Sequence, residues 1–340
     1  KNRYKFPQQS PLKYLANTSL KVDIVVCVHN ALDDVKLCLD SVEKNTFRQY
    51  NLVIINDGSN QATTQYLRQF AEQRQHCVLI ENSAAQGYTK AANQGLQASQ
   101  GDYVVLLNSD TIVSRLWLER LLECAESESN IGIVGPLSNA ASWQSVPELF
   151  DEQGGWAINS LPEGCSIDDW AEIVNLVSQK LFPRVPFING FCFLIKRSLI
   201  EKIGYLDEVS FPKGYGEEND YCLRAANAGF ELAIADHAYV YHAKSKSYGH
   251  QQRKLLAQAG GKALQSKHGK GLVNSLIKDM RNNSNLLSIS RAIKLYLENN
   301  SDSVSSLLTF NILFLLPVRA GGGGVHSVIQ EVVGMRNMGV

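Results

Sequence analysis

From Val22 onwards, short apolar runs alternate regularly with amphipathic helical patterns, and this alternation constrains the fold more than any other feature of the sequence. The runs are nearly continuous in apolar residues, as expected for strands buried on both faces of a parallel sheet. They occupy residues 23–28, 52–55, 78–80, 103–107 and 131–134. The pattern therefore predicts an α/β fold, with a mostly parallel central sheet flanked by helices.

Between these runs, apolar residues recur at helical spacing, and such stripes predict core packing rather than a site. The first stripe comprises Leu32, Val35, Leu39 and Val42, and a later one comprises Trp117, Leu121 and Ala125.

The alternation divides the chain into four predicted parts. Residues 1–20 are an N-terminal extension, 21–268 one α/β domain, 269–306 a polar and partly helical linker, and 307–340 the truncated start of a second domain. Residues 136–184 interrupt the α/β domain with prolines and glycines, which predicts an insertion over the sheet edge. The last part has an apolar run and a four-glycine turn. It lacks the spacing of a dinucleotide fingerprint and the lysine of a P-loop, and we expect it to add nothing to the preceding fold.

Charge and cysteine content exclude several classes of partner. The 33 basic and 33 acidic residues cancel, so the chain as a whole has no positive field to hold nucleic acid or an anionic membrane. The seven cysteines form no C-x-x-C pair, which predicts free thiols and a reducing, cytoplasmic compartment. The longest apolar run, at 307–318, is too short to span a bilayer. We therefore expect at most peripheral contact with the inner face of a membrane.

Polar residues follow the first two predicted strands. Val28, His29 and Asn30 end the first, and Asp57 ends the second. Ligands of α/β sheets bind beyond the carboxyl ends of the strands, so both tips are predicted to meet a ligand. For Asp57, a strand-to-helix turn is an equally good interpretation when that residue is taken alone.

A third polar tip, Asn108-Ser109-Asp110, follows the fourth strand. A carboxylate there can bind Mg²⁺ or Mn²⁺ that bridges a diphosphate, although Asp110 could instead cap a helix. Lys90 and Asn93 lie on one predicted helix, where the lysine offers an amine to phosphate.

Three acids, Glu217, Glu218 and Asp220, crowd one helix start. Mutual repulsion raises at least one pKa, which suits a general base, whereas a purely electrostatic role at the helix start and an Asp220–Arg224 pair are the structural alternatives. His242 ends the following strand and is either a cation ligand or a structural histidine.

Six motifs, "VHN", "NDGS", "GYTKAANQG", "LLNSDT", "INGFCFLIKRSLIEKIGYLDE" and "GYGEENDYCLR", occur in order between 22 and about 249. Together they resemble the inverting family-two glycosyltransferases of GT-A fold, of the bacterial polysaccharide and rhamnosyltransferase type. The resemblance implies transfer from a nucleoside-diphosphate sugar to a hydroxyl of a glycan or lipid-linked saccharide, in cell-surface polysaccharide synthesis. It also implies a divalent cation, Mn²⁺ or Mg²⁺.

The resemblance implies that Val28, His29, Asn30 and Asp57 hold the nucleoside, with Asp57 reading the base, and that Asn108, Ser109 and Asp110 occupy the family's Asp-x-Asp motif at the donor. It also implies that Asp110 and His242 bind the metal, that Glu218 is the catalytic base, and that Glu217 and Asp220 orient the acceptor or neighbouring groups. Lys90 and Asn93 are further candidates for contact with the donor, and Trp143 is a candidate for contact with the acceptor. The first acid of the family's Asp-x-Asp motif is Asn108 here, which leaves Asp110 as the metal ligand.

Near the end of the α/β domain, residues 245–250 suit a mobile lid over the donor. The segment from 307 resembles the beginning of a family-four glycosyltransferase domain of GT-B fold, so further glycosyltransferase domains are expected in the parent chain.

Two other functions were weighed. A nucleotidyltransferase should carry a glycine-rich loop with a basic residue after the first strand, and "VCVHNALDD" has neither. A non-catalytic sugar-binding module of a larger assembly enzyme would not need Asp110, Glu218 and His242 together.

Overall fold

A computed structural model describes residues 19–243 and 250–299, without the side chains of 250–254. The described residues up to Lys294 belong to one compact unit, and those from Leu295 to a second. The N-terminal extension up to residue 18, most of the predicted lid and the predicted second domain at 307–340 lie outside the described residues.

The described part of the chain contains eight strands in one sheet, and all five predicted strands are confirmed. The strands are β1 (Val22–Val28), β2 (Asn51–Asp57), β3 (Cys77–Asn82), β4 (Tyr103–Asn108), β5 (Thr111–Val113), β6 (Ile131–Leu137), β7 (Cys192–Lys196) and β8 (Glu231–His242).

The sheet order is β3-β2-β1-β4-β7-β6-β8-β5. Strands β1 to β4 are parallel, as the buried apolar runs predicted. On the other side, β7 is antiparallel to both β4 and β6, β8 is parallel to β6, and β5 is antiparallel to β8. The sheet is therefore mixed, and the parallel half brings three predicted polar tips to one edge.

The described residues contain ten α-helices. They are α1 (Leu32–Asn45), α2 (Gln61–Glu72), α3 (Tyr88–Ala98), α4 (Trp117–Glu126), α5 (Ile167–Val177), α6 (Arg197–Ile203), α7 (Glu217–Asn227), α8 (His250–His268), α9 (Lys270–Arg281) and α10 (Ser284–Asn299). Two begin with well-formed caps: the Asn60 side chain accepts from Thr63 N before α2, and Ser166 and Asp169 form a capping box on α5.

The hydrophobic core lies between the sheet and its helices. Val35, Leu39 and Val42 of α1 and Trp117 and Leu121 of α4 are fully buried there, which confirms the predicted helical stripes as core. Packing of these stripes fixes where each strand ends, and thus where the polar tips lie.

The irregular region 136–184 is fastened to the sheet by Gln144, whose side chain is fully buried. Its Nε2 donates to the Pro136 carbonyl at 2.7 Å, and its Oε1 accepts from Asn189 N at 2.7 Å. These two bonds place the preceding residue, Trp143, beside the loop that leads into β7.

The described residues of the predicted linker, 269–299, contain α9 and α10. Five of its apolar residues are nevertheless buried, so these helices pack instead of lying free in solvent: Val273, Met280, Leu286, Ile289 and Ile293. Among the described residues, no helix is both long and apolar enough to cross a membrane.

Candidate active site

Asp57 ends β2 with only 5% of its surface exposed. Its carboxylate accepts hydrogen bonds from Asn82 Nδ2 at 2.9 Å, Gln86 N at 2.8 Å and Gly87 N at 2.9 Å. Gly87 has a φ of 100°, a conformation that favours glycine. Three donors stabilise the ionised carboxylate, which fastens the turn before α3 and leaves little of it open to a ligand.

His29 and Asn30 lie beside Asp57, as the first two polar tips predicted. His29 Nδ1 is 2.8 Å from the Asp57 carbonyl, which can only accept, so this nitrogen carries the hydrogen. Asn30 has a φ of 62°, and its backbone N–H donates to Ser59 Oγ at 2.9 Å. The predicted contact through Val28 needs correction, because its side chain is fully buried in the core and only its backbone reaches this edge.

Asn93 of α3 is buried, whereas Lys90 on the same helix is exposed. Its amide donates to the Leu206 carbonyl at 3.0 Å and to Glu208 at 3.2 Å, and accepts from Leu206 N at 3.0 Å. Both ends of the side chain are therefore used to join α3 to the loop before α7. The prediction that Asn93 contacts the donor is corrected to this joining role, while Lys90 is exposed and stays a candidate.

Asp110 and His242, the predicted metal ligands, meet at the end of the sheet. Thr111 of β5 pairs with His242 of β8, and Asp110 Oδ1 lies 3.4 Å from His242 Nε2. The two side chains are 17% and 12% exposed, so both can be reached by a ligand.

The imidazole of His242 is oriented by its surroundings. Its Nδ1 is 3.2 Å from the Ala140 carbonyl, and its ring stacks on Phe191 with centroids 5.2 Å apart. Because the carbonyl can only accept, Nδ1 carries a hydrogen, and Nε2 is the ring nitrogen that faces Asp110.

A carboxylate oxygen and a nitrogen with a free lone pair fit Mn²⁺, and Mg²⁺ less well because of the nitrogen. No cluster of three or more protein ligands occurs among the described residues, so Asp110 and His242 would supply two and a bound diphosphate others.

The tip before Asp110 is fixed by the backbone. Asn108 N donates to the Phe191 carbonyl at 2.8 Å, and the Asn108 carbonyl accepts from Thr111 Oγ1 at 2.7 Å. The side chains of Asn108 and Ser109 stay partly exposed, which is compatible with their predicted contact with the donor.

Glu217 and Glu218 open α7 after Gly216, whose φ is 127°. Glu218 Oε2 accepts from Gly216 N at 3.0 Å, and the two carboxyl groups are hydrogen-bonded to each other. Glu217 Oε2 is buried without a hydrogen-bond partner. One shared proton is therefore needed, since two buried carboxylates in contact cannot both be ionised.

Burial raises the pKa of both carboxyl groups. The pKa of Glu217 is raised most, first by burial and then by the charge of Glu218. Burial also raises the pKa of Glu218, while hydrogen bonds from its own backbone, from Gly216 and from Glu217 act in the opposite direction. Glu217 thus holds the proton and Glu218 is the group that ionises first, as a base must.

Gly190, which no strand or helix pattern singled out, packs directly on Glu218. A Cβ on Gly190 would lie 3.3 Å from Glu218 Cβ and 3.4 Å from its Cγ, so only glycine fits here without displacement. The "NG" pair at 189–190 is the signal in the sequence, since such pairs mark tight turns.

Asp220 has a different environment, which corrects its predicted role at the acceptor. Its side chain is 0% exposed and is bonded to Arg224 Nε at 2.8 Å, Lys267 Nζ at 2.8 Å and His268 Nε2 at 2.7 Å. Burial alone would raise the pKa of Asp220, but these three partners lower it. The alternative pair with Arg224 is confirmed, and Asp220 joins α7 to the end of α8.

Trp143 lies in a group of aromatic rings. Its centroid is 5.9 Å from that of Trp156 and 6.0 Å from that of Phe187, and its Nε1 is buried without a hydrogen-bond partner. Its contact with an acceptor stays a prediction.

The model of Glycosyl transferase family 2 matches residues 23–204, more than half of the chain. The chain belongs to this family. It is therefore a glycosyltransferase domain, and the match covers β1 to α6 with the polar tips of β1, β2 and β4, but neither the start of α7 nor His242.

Curated relatives of this family-two domain carry the same general name. The uncharacterized glycosyltransferase YibD of Escherichia coli (strain K12) is 27% identical over 138 residues, 39% of this chain and 40% of that protein. Glycosyltransferase AglE of Haloferax volcanii is 27% identical over 218 residues, 63% of this chain and 64% of that protein. The chain thus spans less than two thirds of the length of either relative.

Solved structures place the family-two domain in the GT-A fold. The mannosyltransferase PcManGT of Pyrobaculum calidifontis, in complex with GDP-Man and Mn²⁺, gives a TM-score of 0.57 at 15% identity, covering 94% of this chain and 81% of that one. GalNAc-T7, with UDP, GalNAc and Mn²⁺, gives 0.51 at 19% identity, covering 66% of this chain and 43% of that one. The predicted fold class is confirmed.

Proposed function

We propose that this chain is an inverting, metal-dependent glycosyltransferase of the cytoplasm. It moves a sugar from a nucleoside diphosphate to a hydroxyl of a glycan or lipid-linked saccharide in cell-surface polysaccharide synthesis. The observation that carries the proposal is a two-residue connection: Gly190 packs on Glu218, and Phe191 stacks on His242. The base and the metal-ligand pair thus flank adjacent residues of one turn.

The donor occupies the edge formed by β1, β2 and β4. His29 and Asn30 hold the nucleoside beside Asp57, whose carboxylate fastens the turn before α3, and Asn108, Ser109 and the exposed amine of Lys90 lie towards the diphosphate. Asp110 and His242 would hold Mn²⁺ or Mg²⁺, and such a cation would supply positive charge to the leaving diphosphate. The Mn²⁺ and nucleotides of the two solved relatives support this assignment.

The acceptor hydroxyl approaches from the side of α7. Glu218 accepts its proton as the oxygen attacks the anomeric carbon, and the bond to the diphosphate breaks on the opposite face. A single displacement of this kind inverts the anomeric centre, by the logic that separates inverting from retaining glycosidases. Glu217 keeps its proton and donates it in a hydrogen bond to the Glu218 carboxylate, which holds that carboxylate in place.

A donor assay with the purified chain tests the proposal. GDP-, UDP- and dTDP-sugars would be incubated with Mn²⁺, with Mg²⁺ or with chelator, and nucleoside diphosphate release would be measured with water and with simple saccharides as acceptors. We expect metal-stimulated release from one class of donor, and proton NMR of an early product should show the inverted anomer.

Three results would contradict the proposal in different ways. Equal release in chelator removes the metal from the mechanism, and a retained anomer removes the single displacement. Binding of a sugar nucleotide without turnover under any condition would favour the non-catalytic binding module.

A further inference from the structure

Charge is distributed very unevenly along this electrically neutral chain. Residues 21–243 contain 16 lysines and arginines against 29 aspartates and glutamates, whereas residues 244–299 contain 11 against 2. The first segment is therefore strongly acidic and the second strongly basic. The overall balance, which argued against any positive field, conceals a basic region at residues 244–299, which include the C-terminal helices; residues 1–20 are also basic, with four basic and no acidic residues.

The outward face of α8 combines a lysine with a large apolar side chain. Gly260 and Leu264 mark the buried side of this helix. At 100° per residue, Leu255 and Lys262 point in the opposite direction, and both are exposed, Leu255 at 62%.

On α9 the exposed face is also basic. Val273 and Met280 are buried on one side of the helix. Lys270, Lys278 and Arg281 fall within a quarter turn of one another on the exposed side. Ile277, 38% exposed, borders this group.

Not every basic residue of these helices is available to a partner. Lys267 is engaged by Asp207 and Asp220, and Arg281 lies over the rings of Trp156 and Phe150 while donating to the Gly154 carbonyl. Lys262, Lys270 and Lys278 are exposed, and no hydrogen bond or ion pair engages them within the described part of the chain. These three lysines are therefore the ones that can contact an anionic partner.

We propose that the exposed faces of α8 and α9 bind an anionic lipid bilayer, with Lys262, Lys270 and Lys278 at the headgroups and Leu255 and Ile277 at the acyl boundary. Helices that combine lysines with exposed apolar residues bind in this way, and the charge of a bilayer complements this surface but repels the acidic remainder of the domain. The interaction is independent of sugar transfer. It would bring the domain to the surface where a lipid-linked acceptor resides.

Vesicle flotation of the full chain tests this proposal. Vesicles of phosphatidylcholine alone would be compared with vesicles containing 30% phosphatidylglycerol (about one anionic lipid in three, a strongly charged surface). We expect binding to the anionic vesicles only, weakened as NaCl is raised because salt screens exposed charges. The triple variant K262E/K270E/K278E should bind at least about 100-fold more weakly, since each surface lysine near a bilayer contributes roughly a fivefold effect or more.

The matched control is K21E/K36E/K44E, which changes net charge equally at three exposed lysines of the acidic segment. It should bind vesicles like the unmodified chain. Both variants must keep the far-UV circular dichroism and melting temperature of the parent, and K262Q/K270Q/K278Q, which adds no negative charge, should show the same loss in weaker form.

Four outcomes would overturn the proposal. These are failure to bind anionic vesicles at low salt, equal binding to phosphatidylcholine, equal loss of binding in the control variant, and a single-stranded oligonucleotide of equal charge binding more tightly than the vesicles. None of them bears on the donor assay, so the proposed function would stand or fall separately.

Discussion

Carboxylates occur in two regions of this site, and their surroundings could hardly differ more. At the strand ends, Asp57 accepts three hydrogen bonds and Asp110 faces an imidazole at a partly exposed position. At the start of α7, Glu217 and Glu218 are packed against each other, and one Glu217 oxygen has no hydrogen-bond partner. The first region surrounds its carboxylates with hydrogen-bond donors or an imidazole, whereas burial in the second raises the pKa of both carboxyl groups.

The difference shows that the hydrogen-bond donors around a carboxyl group, and not whether it belongs to Asp or Glu, determine whether it fastens the fold or can act as a base. Asp220 makes the same point within α7, since it lies only two residues from Glu218 yet has three positively charged or N–H partners. Its pKa is lowered while those of its two neighbours in the motif are raised. Substitutions in the two regions should therefore change different measured quantities.

The largest expected effect is on turnover in Glu218→Gln. Glutamine keeps the shape and hydrogen bonding but cannot accept the proton, so kcat should fall by roughly 100-fold or more, the usual contribution of a general base. Donor affinity, measured by calorimetry with a nucleoside diphosphate and Mn²⁺, should hardly change because the donor is held by the strand ends.

Glu217→Gln is the matched control, because it alters the neighbouring carboxyl group in the same way and should leave most of the turnover. If Glu217→Gln were inactive yet folded while Glu218→Gln transferred sugar at near the parent rate, the base would have to be reassigned to Glu217.

Asp220→Ala should act on stability. Removing this buried carboxylate leaves Arg224, Lys267 and His268 without their shared partner, and breaking a buried ion pair from one side costs about 3 kcal/mol. Urea unfolding should show this loss, and Glu218→Gln should not share it. A variant that unfolds like the parent but has lost acceptor binding would return Asp220 to the acceptor site.

Asp110→Ala should remove most of the metal dependence of donor binding. We expect a loss of roughly 10- to 100-fold in nucleoside diphosphate affinity with Mn²⁺, comparable to the loss of a group that supports a metal ligand, and little change in chelator. Calorimetry of both proteins, with and without Mn²⁺, measures the difference. Equal losses with metal and with chelator would show that Asp110 contributes only to the fold.

The smallest expected effect is a displacement of the pH profile. Glu218 must be ionised to act, and burial raises its pKa, so kcat should decline at a higher pH than an ordinary glutamate would give as the solution is acidified. Glu217→Leu removes the hydrogen bond that lowers this pKa, and the decline should move further towards neutral pH. Glu217→Gln retains a hydrogen-bond donor, so the pH at which kcat declines should shift less than in Glu217→Leu. Identical pH profiles for the two variants would show that the side chain at position 217 does not influence the pKa of Glu218.

The parallel half of the sheet could be predicted from the sequence because buried parallel strands consist of nearly continuous runs of apolar residues. The order of β5 to β8 could not, since β7 follows the irregular region 136–184 and its antiparallel pairing depends on contacts distant in sequence. The pairing of Asp110 with His242 came only from the family resemblance. No local pattern joins residues 132 positions apart, and β5 with β8 does so in the fold.

Errors at single residues share a physical cause. Val28, Asn93 and Asp220 are polar-tip or motif residues whose side chains turn inwards, where packing and internal hydrogen bonds use them. Sequence patterns locate a residue on an element, but they do not tell whether a neighbour distant in sequence will occupy its functional group. For Asn93 that neighbour is Leu206, and for Asp220 it is Lys267.

Strand β5 has only three residues, yet one metal-ligand candidate directly precedes it and the other is paired with its first residue. Its far edge is covered by α1, where Ser41 Oγ accepts from Val113 N and Asn45 Nδ2 donates to the Val113 carbonyl. Transient opening of so short a pairing would separate Asp110 from His242 in a single event. The rate of amide hydrogen exchange at residues 111–113 therefore reports how often Asp110 and His242 separate. An interaction that joins the two side chains adds its own free energy to the cost of opening, and it should slow exchange accordingly.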